Sequence, residues 1–218
     1  MSIAARNAIL AGGAALPYDA EVEYLQSTGT QYIDTGVYLN GEDVYLWVDF
    51  QYTKKPSSSN IIGVFQSSPN RACLRSAATN THYWYCYDAS YSQSLTVSTS
   101  RKTQTIEMEG DSVKFYNNTT LRSTRNITNR GASTYPLCMF NAYTDAGLTA
   151  NFMIGKIFGA QIGLGGVLVR DFIPVRVGSG ASAVGYMYDK VSGELFGNAG
   201  SGAFTIGPDA SAANGGGV

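Results

Sequence analysis

The side chains best suited to bind a ligand form an aromatic run at residues 81–87. Alternate residues of a strand point to opposite sides, so Tyr83, Tyr85 and Tyr87 would share one face of a strand spanning this run. Sugar rings stack their C–H faces on flat aromatic side chains, and tyrosine adds a hydroxyl for hydrogen bonding. The run predicts a glycan platform if this face is exposed, and a core strand if it faces inward. Trp47 is a second exposed-aromatic candidate.

Strand signals recur every 8–14 residues after Tyr18, and no segment has a convincing amphipathic helical pattern. This pattern predicts an all-β chain folded as a two-sheet antiparallel β-sandwich. Pro174 lacks a ladder donor, which predicts an edge strand or a bulge at that position. The predicted strands cover residues 43–52, 60–66, 81–87, 94–98, 103–109, 112–116, 136–143, 152–164, 166–176, 183–189 and 203–206.

Segments near both ends of the chain resemble one domain family. Residues 22–36 read VEYLQSTGTQYIDTG, residues 155–158 and 166–176 read GKIF and GVLVRDFIPVR, and residues 185–202 read GYMYDKVSGELFGNAGSG. They resemble the opening, the late strand pair and the closing hairpin of concanavalin A-like, laminin-G-like jelly-roll domains of phages and prophages of gut bacteria. The resemblance implies a jelly-roll sandwich over residues 21–207.

A carboxylate pair raises the alternative of a glycoside hydrolase, because the concanavalin-like fold also hosts glycosidases. Glu107 and Glu109 lie two apart on one predicted strand and could reach the roughly 5–9.5 Å separation that these enzymes use. Gly110 and Asp111 follow at once, which predicts a solvent-facing edge at the end of a hairpin. The acidic signature of the family's glycosidases, with its third acidic residue, is absent. We therefore expect no enzyme activity and no catalytic residue.

The resemblance suggests one candidate metal ion, calcium, because some laminin-G-like modules bind it. Calcium takes six to eight oxygen ligands from converging loops. Asp43, Asp88, Asn141 and Asp145 lie at predicted loop edges, without EF-hand spacing. No cofactor and no metal residue are expected, with a calcium site as the open alternative. The only histidine, His82, is expected to be a strand residue bonded to a neighbour.

Composition narrows the range of partners. Net charge is −1 with a pI near 5.8, and the basic residues are scattered, so no nucleic-acid partner is expected. No apolar run reaches the roughly 18 residues that span a bilayer, so no membrane insertion is expected. Cys73, Cys86 and Cys138 are an odd number without metal-site spacing, which predicts buried thiols, although one pair could bond.

Residues 1–20 are interpreted as an N-terminal arm and residues 208–218 as a flexible Gly/Ala-rich tail. Ile3, Arg6, Ile9 and Leu10 are the candidate contacts that would anchor the arm to a larger assembly; a frayed terminus is the alternative. The start of the chain lacks the features of a signal peptide.

With the family resemblance, this arm favours a phage virion protein made in the cytoplasm of the host bacterium. Such a protein would be a capsid decoration, a head fibre or a tail-associated adhesin. Its expected partners are other virion proteins, a cell-surface glycan and further copies of itself. The alternatives are a free glycan-binding lectin and, less favoured, the glycoside hydrolase.

Overall fold

The computed structural model of the chain describes residues 16–55, 57–77, 81–94 and 98–210. The candidate anchor residues Ile3, Arg6, Ile9 and Leu10 lie outside the described residues, so the anchor stays a prediction. In these ranges, no helix has the length and apolarity needed to cross a bilayer.

The described residues are nearly all β, with one short 3₁₀ turn at Gly180–Ser182. Their strands are β1 (Ala20–Glu21), β2 (Leu25–Ser27), β3 (Ile33–Asp34), β4 (Val44–Tyr52), β5 (Ser58–Phe65), β6 (Arg71–Ala77), β7 (Thr81–Cys86), β8 (Ala89–Ser94), β9 (Lys102–Glu109), β10 (Ser112–Asn117), β11 (Thr120–Asn126), β12 (Cys138–Met139), β13 (Tyr143–Thr144), β14 (Gly147–Leu148), β15 (Gly155–Leu164), β16 (Val167–Val177), β17 (Val184–Asp189), β18 (Glu194–Phe196) and β19 (Thr205–Ile206).

Two antiparallel sheets form a sandwich, which confirms the predicted fold class. The larger sheet has eleven strands, eight of them in the order β11-β10-β9-β4-β15-β16-β17-β18. β1 pairs with β16, and β2 pairs with both β15 and β19. The smaller sheet has six strands in the order β3-β12-β5-β6-β7-β8, and β13 and β14 form a separate hairpin.

Period-two alternation produces the core. In β4 the residues Val44, Leu46, Val48 and Phe50 are fully buried, while those between them are partly exposed. The same alternation in β7 turns His82, Trp84 and Cys86 inward. One continuous apolar core therefore fills the space between the sheets, and each sheet keeps a partly exposed outer face.

Direct polar contacts also cross the interior. The indole nitrogen of Trp84 donates to the main-chain oxygen of Tyr116 at 3.2 Å, which links the smaller sheet to β10 of the larger. The hydroxyl of Tyr52 on β4 donates to Oγ of Ser76 on β6 at 2.9 Å. These bonds satisfy polar atoms that would otherwise cost free energy in the core.

Three strands lack the sequence signal that a prediction needs. β6, β8 and β11 read RACLRSA, ASYSQS and TLRSTRN, which are rich in serine and arginine and poor in β-branched apolar residues. Each becomes a strand because a neighbouring strand supplies a hydrogen-bonded ladder. The predicted strand at 136–143 shortens to β12, and the one at 94–98 falls largely on residues that are not described.

The prediction for Pro174 is wrong, because β16 is an internal strand and the ladder bulge lies elsewhere. Phe172 is the last residue of β16 paired with β15, and Val175 is the first paired with β1. Pro174 therefore occupies the break between two partner strands, where its missing donor interrupts neither ladder.

Both ends of the described chain are tied to the sandwich. Asp19 accepts a hydrogen bond from the main-chain nitrogen of Gly178 at 2.7 Å. Asp209 forms an ion pair with Arg176 at 2.7 Å, and the main-chain nitrogen of Ala210 donates to the main-chain oxygen of Glu21. Contacts with the sandwich therefore extend slightly beyond both limits of the predicted 21–207 domain.

Candidate functional site

Tyr83 and Tyr85 lie together on the outer face of the smaller sheet. Both are partly exposed, and their rings are parallel to within 5° with centroids 5.9 Å apart. Alternation on β7 places them opposite the buried Trp84, so they face away from the core. This pair meets the condition that the sequence analysis set for a platform.

Three further side chains complete the same surface. Phe65, at the end of β5, lies 4.8 Å from Tyr85 between ring centroids. The guanidinium carbon of Arg71 is 4.6 Å from the centre of the Tyr85 ring, and that of Arg75 is 4.5 Å from the centre of the Phe65 ring. We call these five residues, Phe65, Arg71, Arg75, Tyr83 and Tyr85, the aromatic–arginine platform.

Stacking and hydrogen bonds hold the two guanidinium groups in place. Arg71 donates from Nε to the main-chain oxygen of Tyr87 at 3.1 Å, and Arg75 donates from Nη2 to Oγ of Ser58 at 3.0 Å. Burial raises the pKa of the Tyr85 hydroxyl, while Arg75 and Arg71 act in the opposite direction. The platform is thus an ordered surface that combines flat aromatic rings with two positive charges.

Two neighbouring elements border the platform. Ser90 and Ser92 on β8 are exposed and lie opposite Tyr85 and Tyr83 in the ladder. On the far side the β13–β14 hairpin packs against β5. Asp145 in its turn accepts a bond from the main-chain nitrogen of Ser67 at 2.9 Å, which fixes the hairpin beside the platform. The site is an open surface with hydroxyls along one border.

Tyr87 does not belong to this surface, so its assignment to the tyrosine face is wrong. β7 ends at Cys86, and Tyr87 begins the turn into β8 with φ +52°, which rotates its side chain into the core. It is fully buried, and its hydroxyl donates to the main-chain oxygen of Glu42 at 2.7 Å. Alternation does not extend to Tyr87 because β7 ends one residue earlier than predicted.

Trp47 is partly exposed, but it lies on the outer face of the other sheet. Its indole ring lies beside Gly159 of β15. The sandwich core separates Trp47 from Tyr83 and Tyr85, so the structure does not bring the four predicted ligand-binding residues into one site.

The carboxylates Glu107 and Glu109 are both exposed on β9, as predicted. The predicted edge position is wrong, because β9 lies between β4 and β10. A concavity of about 390 Å³ nearby is lined by Asp43, Tyr45 and Glu107 together with Val167 and Leu168. It lies on the larger sheet, away from the aromatic–arginine platform.

The four oxygen donors considered for calcium do not converge. Asp43 binds Arg130 at 3.0 Å, Asp88 accepts from the main-chain nitrogens of Thr128 and Asn129, and Asp145 binds the loop at Ser67. The side-chain oxygen of Asn141 accepts from the hydroxyl of Thr149 at 2.6 Å. Each therefore fastens a different loop. Across the described ranges, no three acidic, histidine or cysteine side chains form a group that could hold a metal ion.

His82 and the three cysteines are buried. His82 Nδ1 lies 3.0 Å from Oγ of Ser76, the neighbour contact that the sequence analysis expected, and burial lowers the pKa of His82 to about 3. Burial raises the pKa of Cys73 and Cys86 to about 12 and that of Cys138 above its ordinary range. All three thiols are free, and none has the lowered pKa of a nucleophile.

Phe65, Arg71 and Arg75 were not among the ligand-binding residues predicted from the sequence. The signal was present in RACLRSA, because Arg71 and Arg75 are four residues apart and an extended strand would place both on one face. That inference requires β6 to be recognised as a strand, which its polar composition conceals.

No protein-family model and no curated protein match this chain. Among solved structures it is similar to a candidate carbohydrate-binding protein from Bacteroides ovatus ATCC 8483, with a TM-score of 0.63 at 10% identity over 88% of this chain and 61% of that one. It is also similar to the CBM40 of Ruminococcus gnavus IT-sialidase bound to α2,3-sialyllactose, with a TM-score of 0.51 at 10% identity over 64% of this chain and 88% of that one. At this identity the likeness establishes the fold, a β-sandwich shared with carbohydrate-binding modules.

Proposed function

We propose that this chain is a non-catalytic glycan-binding protein whose binding surface is the aromatic–arginine platform. The observation that carries the proposal is the pair of parallel, partly exposed rings of Tyr83 and Tyr85 on the outer face of the smaller sheet. Flat rings accept the C–H face of a sugar, and the neighbouring hydroxyls of Ser90 and Ser92 supply hydrogen-bonding groups for sugar hydroxyls.

Two observations support this reading over a hydrolase. The two solved structures described above are, by name, a carbohydrate-binding protein and a CBM40. Glu107 and Glu109 are open to solvent on a strand of the opposite sheet. A glycosidase holds its carboxylates on either side of a bound sugar.

A glycan array with the purified chain tests the proposal. We expect binding to a restricted set of glycans, lost in Tyr83→Ala and in Tyr85→Ala and kept in Tyr45→Ala, a partly exposed tyrosine of the larger sheet. Circular dichroism and thermal unfolding confirm that each variant folds. Absence of binding to every glycan, with the wild-type chain folded, rules the proposal out.

For the biological setting we propose a phage particle, on which the sandwich is a virion component attached through residues 1–20 and presented to a cell-surface glycan. The support is the resemblance of residues 22–36, 155–158, 166–176 and 185–202 to phage-borne jelly-roll domains. Several copies on one particle would raise a weak affinity through avidity. Deletion of residues 1–20 should abolish incorporation into particles while the sandwich stays folded; unchanged incorporation counts against this attachment. A free lectin is the alternative setting.

A further inference from the structure

The two arginines of the platform lack acidic partners. Among the described residues, no carboxylate lies within 4.0 Å of a side-chain nitrogen of Arg71 or Arg75. The residues outside the described ranges contain no aspartate or glutamate. Both positive charges are therefore held on the surface without a compensating side chain.

On the other sheet, an arginine that stacks on an aromatic ring does have an acidic partner. The guanidinium carbon of Arg101 lies 3.8 Å from the centre of the Phe158 ring. This arginine also forms a bidentate pair with Asp49, in which Nε donates to Oδ1 at 3.0 Å and Nη2 donates to Oδ2 at 2.7 Å. Stacking on an aromatic ring thus leaves the fork of a guanidinium free to bind a carboxylate.

The forks of the platform arginines have unused donors. A guanidinium has five N–H donors. Arg71 donates from Nε to the main-chain oxygen of Tyr87, and Arg75 donates from Nη2 to Oγ of Ser58. Among the described residues, neither Nη atom of Arg71 has a hydrogen-bond acceptor. Nη1 of Arg75 also has none. Because these groups stand beside the rings of Tyr85 and Phe65, an anion bound to them would lie next to a stacked sugar.

We propose that the platform selects glycans that contain a carboxylate-bearing sugar, with Arg71 and Arg75 as the residues that recognise the carboxylate. This inference rests on the proposed glycan-binding function. In this arrangement the sugar ring stacks on the tyrosine pair. Its carboxylate binds Arg71 and Arg75 in the way that the carboxylate of Asp49 binds Arg101. A uronic acid and a nonulosonic acid share this chemistry.

Titration calorimetry with matched probes tests the inference. One pair is trigalacturonic acid and its methyl ester, and the other is 3′-sialyllactose and lactose; the two pairs distinguish the two acid classes. We expect at least one acid to bind roughly tenfold or more tightly than its neutral partner, because hydrogen bonds to charged groups are worth more than neutral ones. The preference should decrease as salt is raised.

Variants assign the preference to the two arginines. Arg71→Ala should remove most of it, and Arg75→Lys, which keeps the charge but loses the fork, should reduce it less than Arg75→Ala. Arg101→Ala, the stacked arginine of the other sheet, should leave it unchanged. Thermal unfolding checks that each variant is folded.

The possible results separate the two proposals. Equal affinity for acidic and neutral partners, or a preference that survives Arg71→Ala and Arg75→Ala, overturns the carboxylate inference and leaves glycan binding standing. Tighter binding of sulfated lactose than of every carboxylated probe also overturns it. Absence of binding to every glycan overturns both proposals.

Discussion

The guanidinium carbon of Arg75 lies 4.5 Å from the centre of the Phe65 ring, although the two residues are not paired in the β5–β6 ladder. Arg75 pairs with Asn60, whereas Phe65 pairs with Arg71 at the other end of β6. The two side chains therefore extend towards each other along the sheet. The residue between them on the same face is Cys73, which is fully buried although it points away from the sandwich core.

The position of Cys73 between the side chains of Phe65 and Arg75 predicts a change in thiol reactivity when Phe65 is shortened. In the native protein all three cysteines should react slowly with a thiol reagent such as DTNB at pH 8, because they are buried and their pKa values are raised. Phe65→Ala should expose one fast-reacting thiol, that of Cys73. The same assay on Phe65→Ala combined with Cys73→Ser identifies the thiol. A fast thiol that persists in the double variant contradicts the assignment.

Because Tyr85 and Trp47 lie on different sheets, we expect their alanine variants to differ in glycan affinity. Tyr85→Ala should weaken glycan binding about tenfold or more, since it removes a ring of the proposed sugar-binding surface and the stacking partner of Arg71. Trp47→Ala should leave affinity within about twofold of wild type, because Trp47 lies on the opposite sheet. Affinity is measured by titration calorimetry. Loss of binding in Trp47→Ala would place the site on the larger sheet instead.

The buried hydroxyl of Tyr87 predicts an effect on stability without an effect on binding. Tyr87→Phe removes the donor to the Glu42 main-chain oxygen and should lower the free energy of unfolding by about 1 kcal/mol. Urea denaturation measures this value. Glycan affinity should be unchanged, since the ring faces the core. A Tyr87→Phe variant of wild-type stability and reduced affinity would show that the hydroxyl contacts the ligand.

The single histidine predicts how stability depends on pH. Burial, with a smaller contribution from Lys102, lowers the pKa of His82 from 6.5 to about 3 in the folded state. Between these values the unfolded chain binds a proton that the folded chain does not, so stability is fully present above pH 6.5 and falls as the pH is lowered towards 3. The slope approaches about 1.4 kcal/mol per pH unit.

Denaturation at several pH values tests this dependence. The window from about pH 5 to 6.5 is most informative, because ordinary carboxylates have pKa values near 4 and contribute little there. His82→Gln removes the titrating group and should flatten the profile in this window, whatever its own stability. A variant profile as steep as that of wild type would assign the slope to another group.

The sequence by itself determined the class of fold and much of its framework. The alternation in β4, the Gly-Asp turn between β9 and β10, and the long strands β15 and β16 are encoded locally, because burial of one strand face imposes a period of two on residue type. It also identified Tyr83 and Tyr85 as a pair on one strand face, which depends on that period alone.

Only the tertiary structure decided which face was exposed and which side chains meet there. Arg71 and Arg75 join Tyr85 across a ladder that pairs β6 with β7, and Phe65 joins from β5; such contacts depend on strand order and register. Tyr87 left the surface because one residue with positive φ ended the alternation. Trp47 was separated from the tyrosines because its strand belongs to the other sheet. Local sequence specifies which residues alternate, whereas the packing of two sheets specifies which alternating faces become one surface.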